Sequence, residues 1–240
     1  MIFDQQEFDI RCEWGDHGVA TLAPISDVVI VVDVLSFSTS VDVAVTQGAV
    51  VFPYHLRDET AVNFATSVGA QLADPTRSSS RYSLSPQSLV DIAKGARIVL
   101  ASPNGATLTL AAKPTPVLAG CLRNARATAS AAMKYGRNIA VIPAGERWRA
   151  DYSLRPSFED LVGAGAIISY LAGSLSPEAI SAVAAFREAK PRIGAYLKQC
   201  SSGKELIERG FAKDVSLASQ LNVSESASIL VNDAYVRVES

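Results

Sequence analysis

Three stretches of this chain gather the residue types that metal-assisted phosphate chemistry needs. In the first, VVIVVDVLSFSTS (28–40), an apolar run ends in Asp33, and Ser36, Ser38, Thr39 and Ser40 lead into a helical pattern. Hydroxyls and free N–H groups at a helix start can hold an anion. A carboxylate beside them can hold Mg²⁺, which takes one or two carboxylates together with phosphate oxygens. The same hydroxyls can equally serve as helix caps, with Asp33 paired to a nearby donor. Burying that carboxylate after five apolar residues is costly without a partner.

The second stretch, ASPNGATLTLAA (101–112), carries a Pro103-Asn104-Gly105 turn. Asn104 either caps the helix that follows or turns its amide to a ligand, with Gly105 allowing close backbone approach. The third joins VIPAGERWR (141–149), where Glu146 leaves a strand end, to PSFEDLVGAGAII (156–168), where Glu159 and Asp160 open a helix. Ser157 and Asp160 match a capping box, and acids suit a first turn. Adjacent helical residues point about 100° apart, so one of the two acids can hold metal while the other caps. Gly163 and Gly165 inside this helix require something, a backbone or a ligand, to approach that face closely, since each costs about 1 kcal/mol relative to Ala.

Elements that present such loops are legible around them. Val/Ile-rich runs at 28–32, 50–54, 97–101, 117–119 and 139–142 read as strands covered on both faces. Helical patterns at 39–47, 58–67, 86–93, 105–112 and 125–134 lie between them, and strand–helix–strand order predicts βαβ units. After Pro143 the pattern becomes helical, at 156–172, 177–189, 192–198 and 203–209, before an alternating closing strand at 228–238. The expected fold is therefore α/β: a mixed or mostly parallel sheet flanked by helices, with a helix-rich C-terminal portion. We expect one domain over 1–240, with 156–225 as a possible helical subdomain. The polar connection 74–85, with Arg77, Ser78, Ser79, Ser80 and Arg81, reads as a surface loop. In open α/β sheets ligands bind beyond the carboxyl ends of strands, where all three polar stretches fall.

Composition narrows the chemistry. Of the 240 residues 48% are hydrophobic and 19% charged, which is globular, and a formal net charge of −2 argues against a nucleic-acid partner. No apolar stretch approaches the ~20 residues of a membrane span. Residues 1–11 carry Asp4, Glu7 and Asp9 where a secretory signal would be basic and then apolar, so a cytoplasmic location is expected. Cys12, Cys121 and Cys200 form no CxxC pair, and His17 and His55 stand far apart, which points any metal towards a hard, oxygen-bound ion. A homo-oligomer is compatible with the sequence.

Familiar phosphatase signatures fail. Cys121-Leu-Arg-Asn-Ala-Arg126 is one residue short of Cys-x5-Arg, Asp33-Val34-Leu35 lacks the second acid of Asp-x-Asp, two distant histidines cannot pair, and no Gly-rich phosphate loop is present. Metal-assisted chemistry with carboxylates remains.

Taken together, the segments resemble the 2-phosphosulfolactate phosphatase family. Asp33-Val34-Leu35 with its hydroxyl run is similar to that family's first motif, and Ser102-Pro103-Asn104-Gly105 to its Asn-Gly loop. Cys121-Leu122-Arg123-Asn124-Ala125 resembles its Asn-Ala helix start. Glu159-Asp160 with Gly163-Ala164-Gly165-Ala166 resembles its Glu-Asp helix, and Gly210-Phe211 with Asp214-Val215 its last motif. The resemblance runs in order from Val28 to Gln220. It implies an α/β fold, Mg²⁺ dependence, and hydrolysis of 2-phospho-3-sulfolactate, a step of coenzyme M biosynthesis, or of a similar small phosphorylated acid. Carried onto this chain, Asp33, Asn104 and Glu159 become catalytic candidates, and Asp33, Glu159 and Asp160 the Mg²⁺ ligands. Ser36, Ser38, Thr39, Gly105, Arg123 and Arg147 become candidates for holding the substrate. Ser36 stands where many members have Arg, and Gly163 where a Cys is common; the segment 144–155 is longer than usual, with Glu146, Arg147 and Arg149. Arg123, Arg147 and Arg149 are the candidate replacements for the missing cation.

Overall fold

The computed structural model of the chain describes residues 2–55, 58–74 and 82–238. Its elements follow in the order β1 (Ile10–Cys12), α1 (Gly15–Leu22), β2 (Val28–Val32), α2 (Phe37–Thr46), β3 (Val50–Tyr54), α3 (Glu59–Ser67), β4 (Gln71–Leu72), β5 (Arg97–Ala101), α4 (Gly105–Ala111), β6 (Val117–Gly120), α5 (Ala125–Ala132) and β7 (Ile139–Pro143). Then come β8 (Glu146–Arg147), β9 (Leu154–Arg155), α6 (Phe158–Ile168), α7 (Pro177–Ala189), α8 (Ile193–Gln199), α9 (Ser201–Glu208), α10 (Ala212–Ala218), β10 (Ser228–Val231) and β11 (Ala234–Arg237). The fold is α/β with a mixed, mostly parallel sheet and a helix-rich C-terminal region, as expected.

Nine strands form one sheet in the order β1-β7-β2-β6-β10-β11-β3-β5-β4. Strands β1, β7, β2 and β6 run parallel to one another, as do β3, β5 and β4. The two groups are joined by β10 and β11, which pair antiparallel with each other, with β6 and with β3. The closing strand expected over 228–238 is thus a hairpin, and it fills the middle of the sheet instead of an edge. It turns at Asn232 and Asp233, both with positive φ, a conformation that Asn and Asp tolerate better than other side chains.

Alternate residues of β2 enter different cores. Val28, Ile30 and Val32 pack with α5, α6 and α7 side chains such as Ala129, Ile167 and Phe186. Val29 and Val31 pack with Val19 of α1 and with Phe37, Val41 and Val45 of α2. Each such buried side chain contributes about 1.5–3 kcal/mol, so burial on both faces fixes where β2 ends and Asp33 begins. The two helical glycines answer to backbone and strand neighbours, not to a ligand. A Cβ on Gly165 would lie 2.0 Å from the Ala182 carbonyl oxygen of α7, and one on Gly163 would meet Val34 at 2.6 Å and Val32 at 3.0 Å.

Other readings need adjusting. The helix expected at 86–93 is a short 3₁₀ turn, Pro86–Leu89. Of the connection read as a surface loop, residues 75–81 lie outside the described residues, whereas Tyr82, Ser83, Leu84 and Ser85 are buried. Asp214 of α10 anchors that end by accepting hydrogen bonds from Ser85 Oγ (2.6 Å) and Gln87 N (3.1 Å).

Candidate active site

The loops after β2 and β5 meet, although these strands are five places apart in the sheet and belong to groups running in opposite directions. Asp33 makes the junction. Its Oδ1 accepts from Phe37 N at 3.1 Å, and its Oδ2 accepts from Gly105 N at 2.9 Å and, at the long distance of 3.5 Å, from Ser102 Oγ. Gly105 is required here: a Cβ would fall 2.8 Å from Asp33 Oδ2 and 2.5 Å from the Phe37 ring. Asp33 is therefore held by backbone from two loops, with its carboxylate in the wall of a cavity.

That cavity encloses about 250 Å³ and is predominantly polar. Asp33, Ser36, Ser102, Asn104 and Glu146 line it together with Arg147, Arg149, Ser202, Glu205 and Arg209. Asn104 stands at the N-terminus of α4 but makes no cap bond with its side chain. Its amide Nδ2 instead donates to Glu146 Oε2 at 3.0 Å, so of the two roles open to it the structure shows the amide turned to the cavity. Burial, then the Asp33 charge and more weakly Glu159, push the Glu146 carboxyl up to about 7, against the lowering bond from Asn104.

Other candidates sit elsewhere. Ser38 Oγ accepts from Asp33 N at 3.0 Å and donates to the Val31 carbonyl at 3.1 Å, while Thr39 Oγ1 donates to the Val34 carbonyl at 2.7 Å. Both are fully buried and absent from the cavity lining, so they shape the loop from behind. Ser36 does line the cavity. Arg123 is directed away from it: its Nε donates to Asp42 Oδ2 at 2.9 Å, and its Nη1 bonds Gln220 and the Leu217 carbonyl. Arg147 lines the cavity and forms an ion pair with Asp16.

Glu159 and Asp160 part company, as their angular separation on α6 demands. Asp160 Oδ1 accepts from Val34 N at 2.7 Å, and Oδ2 accepts from Gly145 N and Ser157 Oγ, both at 2.8 Å. Ser157 thus gives its hydroxyl to Asp160 instead of capping the helix. Asp160 latches the loops after β2 and β7 together and stands apart from the cavity lining. Burial, Asp33 and Glu159 raise its carboxyl well above the usual range, opposed by the donors. Glu159 is buried beside the Cys200 thiol, which burial and this carboxylate push up to about 12.

Sequence reasoning placed Glu146 at a strand end without naming it a site residue, and it lines the same cavity as Asp33. The usable signal was its place directly after β7, the strand next to β2. Among the described residues, no group of three or more His, Cys, Asp and Glu side chains forms a ready-made metal cage. Two carboxylates facing one cavity still match what Mg²⁺ takes from a protein when water and phosphate supply the other ligands. Their mutual repulsion, visible in the raised Glu146, is what a dication relieves.

The molecule falls in the class of α/β proteins whose strand-end loops bring carboxylates, an amide and guanidinium groups around one polar cavity. The chain belongs to the 2-phosphosulfolactate phosphatase family, whose model matches residues 19–233. It is similar to a probable 2-phosphosulfolactate phosphatase of Carboxydothermus hydrogenoformans, with 35% identity over 135 residues, covering 54% of this chain and 53% of that protein. A probable 2-phosphosulfolactate phosphatase of Gloeobacter violaceus shares 28% identity over 131 residues, covering 53% and 52%. The matched part spans about half the length of these curated relatives. Among the described residues no helix is long and apolar enough to cross a membrane.

Proposed function

We propose that this chain is a Mg²⁺-dependent phosphomonoesterase that hydrolyses 2-phospho-3-sulfolactate or a similar small phosphorylated acid to the alcohol and phosphate. The observation that supports this reading most is that Asp33 and Glu146 line one cavity with Asn104, Ser36 and Ser102. Asp33 and Glu146 would hold the metal, in place of the Asp33, Glu159 and Asp160 set that the family resemblance implied. When bound, Mg²⁺ supplies positive charge against the phosphoryl oxygens.

The chain's own residues do the rest. Two backbone N–H groups fix the Asp33 carboxylate, so it needs no reorganisation when charge develops nearby. Ser36 and Ser102 offer hydroxyl donors to the phosphoryl oxygens. Asn104 orients Glu146, and Glu146 faces the space where an attacking water is positioned.

The test is phosphate release from 2-phosphosulfolactate and from phospholactate, with Mg²⁺ and with chelator, alongside calorimetric Mg²⁺ binding. Metal-dependent turnover is expected, with Glu146→Gln weakening Mg²⁺ binding about 10- to 100-fold. Turnover unaffected by chelator would sink the metal reading.

A further inference from the structure

The loop after β2 carries no cation, since Ser36 and not Arg lines the cavity. Arg123 is bound to Asp42 away from it. Among the described residues, three guanidinium groups line the cavity: Arg147, Arg149 and Arg209. Arg147 has its own carboxylate, Asp16, which is not part of the lining. The other two share one. Arg149 Nη2 stands 3.4 Å from Glu205 Oε1, and Arg209 Nη1 stands 3.6 Å from the same atom. Among the described residues, two positive charges against one negative leave this end of the cavity with an excess cation.

The pair comes from different elements. Arg149 lies in the loop between β8 and β9, and Arg209 follows α9, one turn beyond Glu205. Arg149, Glu205, Glu146 and Arg147 also line a second, outer cavity with Trp148 and Arg155. The Arg149–Glu205 contact is therefore the partition between an inner compartment with Asp33 and an open vestibule. The Arg149 side chain is 89% exposed and that of Glu205 51%, and ion pairs that exposed are weak and exchange easily.

We propose that Arg149 and Arg209 grip the second acid group of the substrate, its sulfonate or carboxylate, by exchanging Glu205 for that group. Glu205 occupies the place the substrate acid would take and competes with it. This rests on the phosphatase reading above and adds the residues that select an acid over an uncharged ester. The phosphoryl end lies inward at Asp33 and the acid outward at the partition.

The experiment measures kcat/KM for phospholactate, which carries a carboxylate, and for ethyl phosphate, which does not. Wild type, Arg149→Gln, Arg209→Gln and Glu205→Gln are compared in saturating Mg²⁺. Each arginine substitution is expected to lower the phospholactate-to-ethyl-phosphate ratio about tenfold, mainly through KM. Glu205→Gln is expected to raise it about threefold. Opposite signs at neighbouring positions do not arise from partial unfolding. A ratio unmoved by the arginine changes, or lowered by Glu205→Gln, overturns the clamp. If wild type hydrolyses neither ester, the phosphatase reading fails. The clamp is then read from sulfolactate binding by calorimetry in Mg²⁺: a tenfold loss in Arg149→Gln supports it and no loss overturns it.

Discussion

Asp33 and Asp160 are both buried acids at strand-end loops, both touch the segment after β2, and they do opposite things. Asp33 accepts from two backbone N–H groups and a distant hydroxyl while forming part of a cavity wall. Asp160 accepts three bonds of 2.7–2.8 Å and lies outside that wall. The lesson is that burial and residue type do not separate a ligand from a latch; a place in the cavity wall does.

The strongest way to break this comparison is to neutralise each acid in turn. Asp33→Asn should lower Mg²⁺-dependent turnover of the folded fraction by about a thousandfold, with a loss of about 1–3 kcal/mol because one of its two backbone N–H donors then faces an NH₂ group. Asp160→Asn, which leaves a buried donor facing an NH₂ group, should lose about 1–3 kcal/mol of stability while the folded fraction keeps kcat within about tenfold. Swapped outcomes, read by urea unfolding and steady-state kinetics, would exchange the two roles.

A second contrast concerns the arginines. Arg123→Met leaves Asp42 buried without its cation, so about 3–5 kcal/mol of stability should go, with the KM for a phosphorylated acid unchanged. A raised KM without destabilisation would return Arg123 to the substrate. Smaller still should be the effect of Thr39→Val. Loss of its bond to the Val34 carbonyl should cost about 1 kcal/mol, with turnover near wild type if the hydroxyl does not touch phosphate.

The thiols sharpen the latch reading. Burial pushes Cys12 and Cys121 up to about 12, and burial with Glu159 does the same to Cys200. All three should stay protonated and resist iodoacetamide at pH 8, far below those values, and react once the chain is unfolded. In Asp160→Asn the Cys200 rate should rise, because the α6 start beside it is loosened; in Asp33→Asn it should not. Equal rates in the two variants, measured by mass spectrometry, would undo the distinction.

Much of this architecture was legible because strands buried on both faces leave near-continuous Val and Ile runs, as in β2, β3 and β5. The short β1, β4, β8 and β9 carry two or three residues each, too few for any period to show. Asp33 stood out because it interrupts an apolar run. Ser38 and Thr39 could not be told from Ser36 by type, since only the turn of the loop decides which hydroxyl faces backward. Nor could Glu146 be ranked as a site residue, because its partner Asn104 reaches it through the loop of β5, a strand far from β7 in the sheet. The joining role of β10 and β11 has no local signature, as pairing partners are chosen by tertiary packing.

The hairpin at β10 and β11 also orders events during synthesis. The strands it joins, β6 and β3, each leave the ribosome more than a hundred residues before their partners β10 and β11. Until residues 228–237 emerge, each holds an unpaired edge, and such edges invite pairing with other chains. A nascent chain of this protein therefore passes a period in which two half-sheets wait for the piece between them, and that window is where chaperone engagement should concentrate.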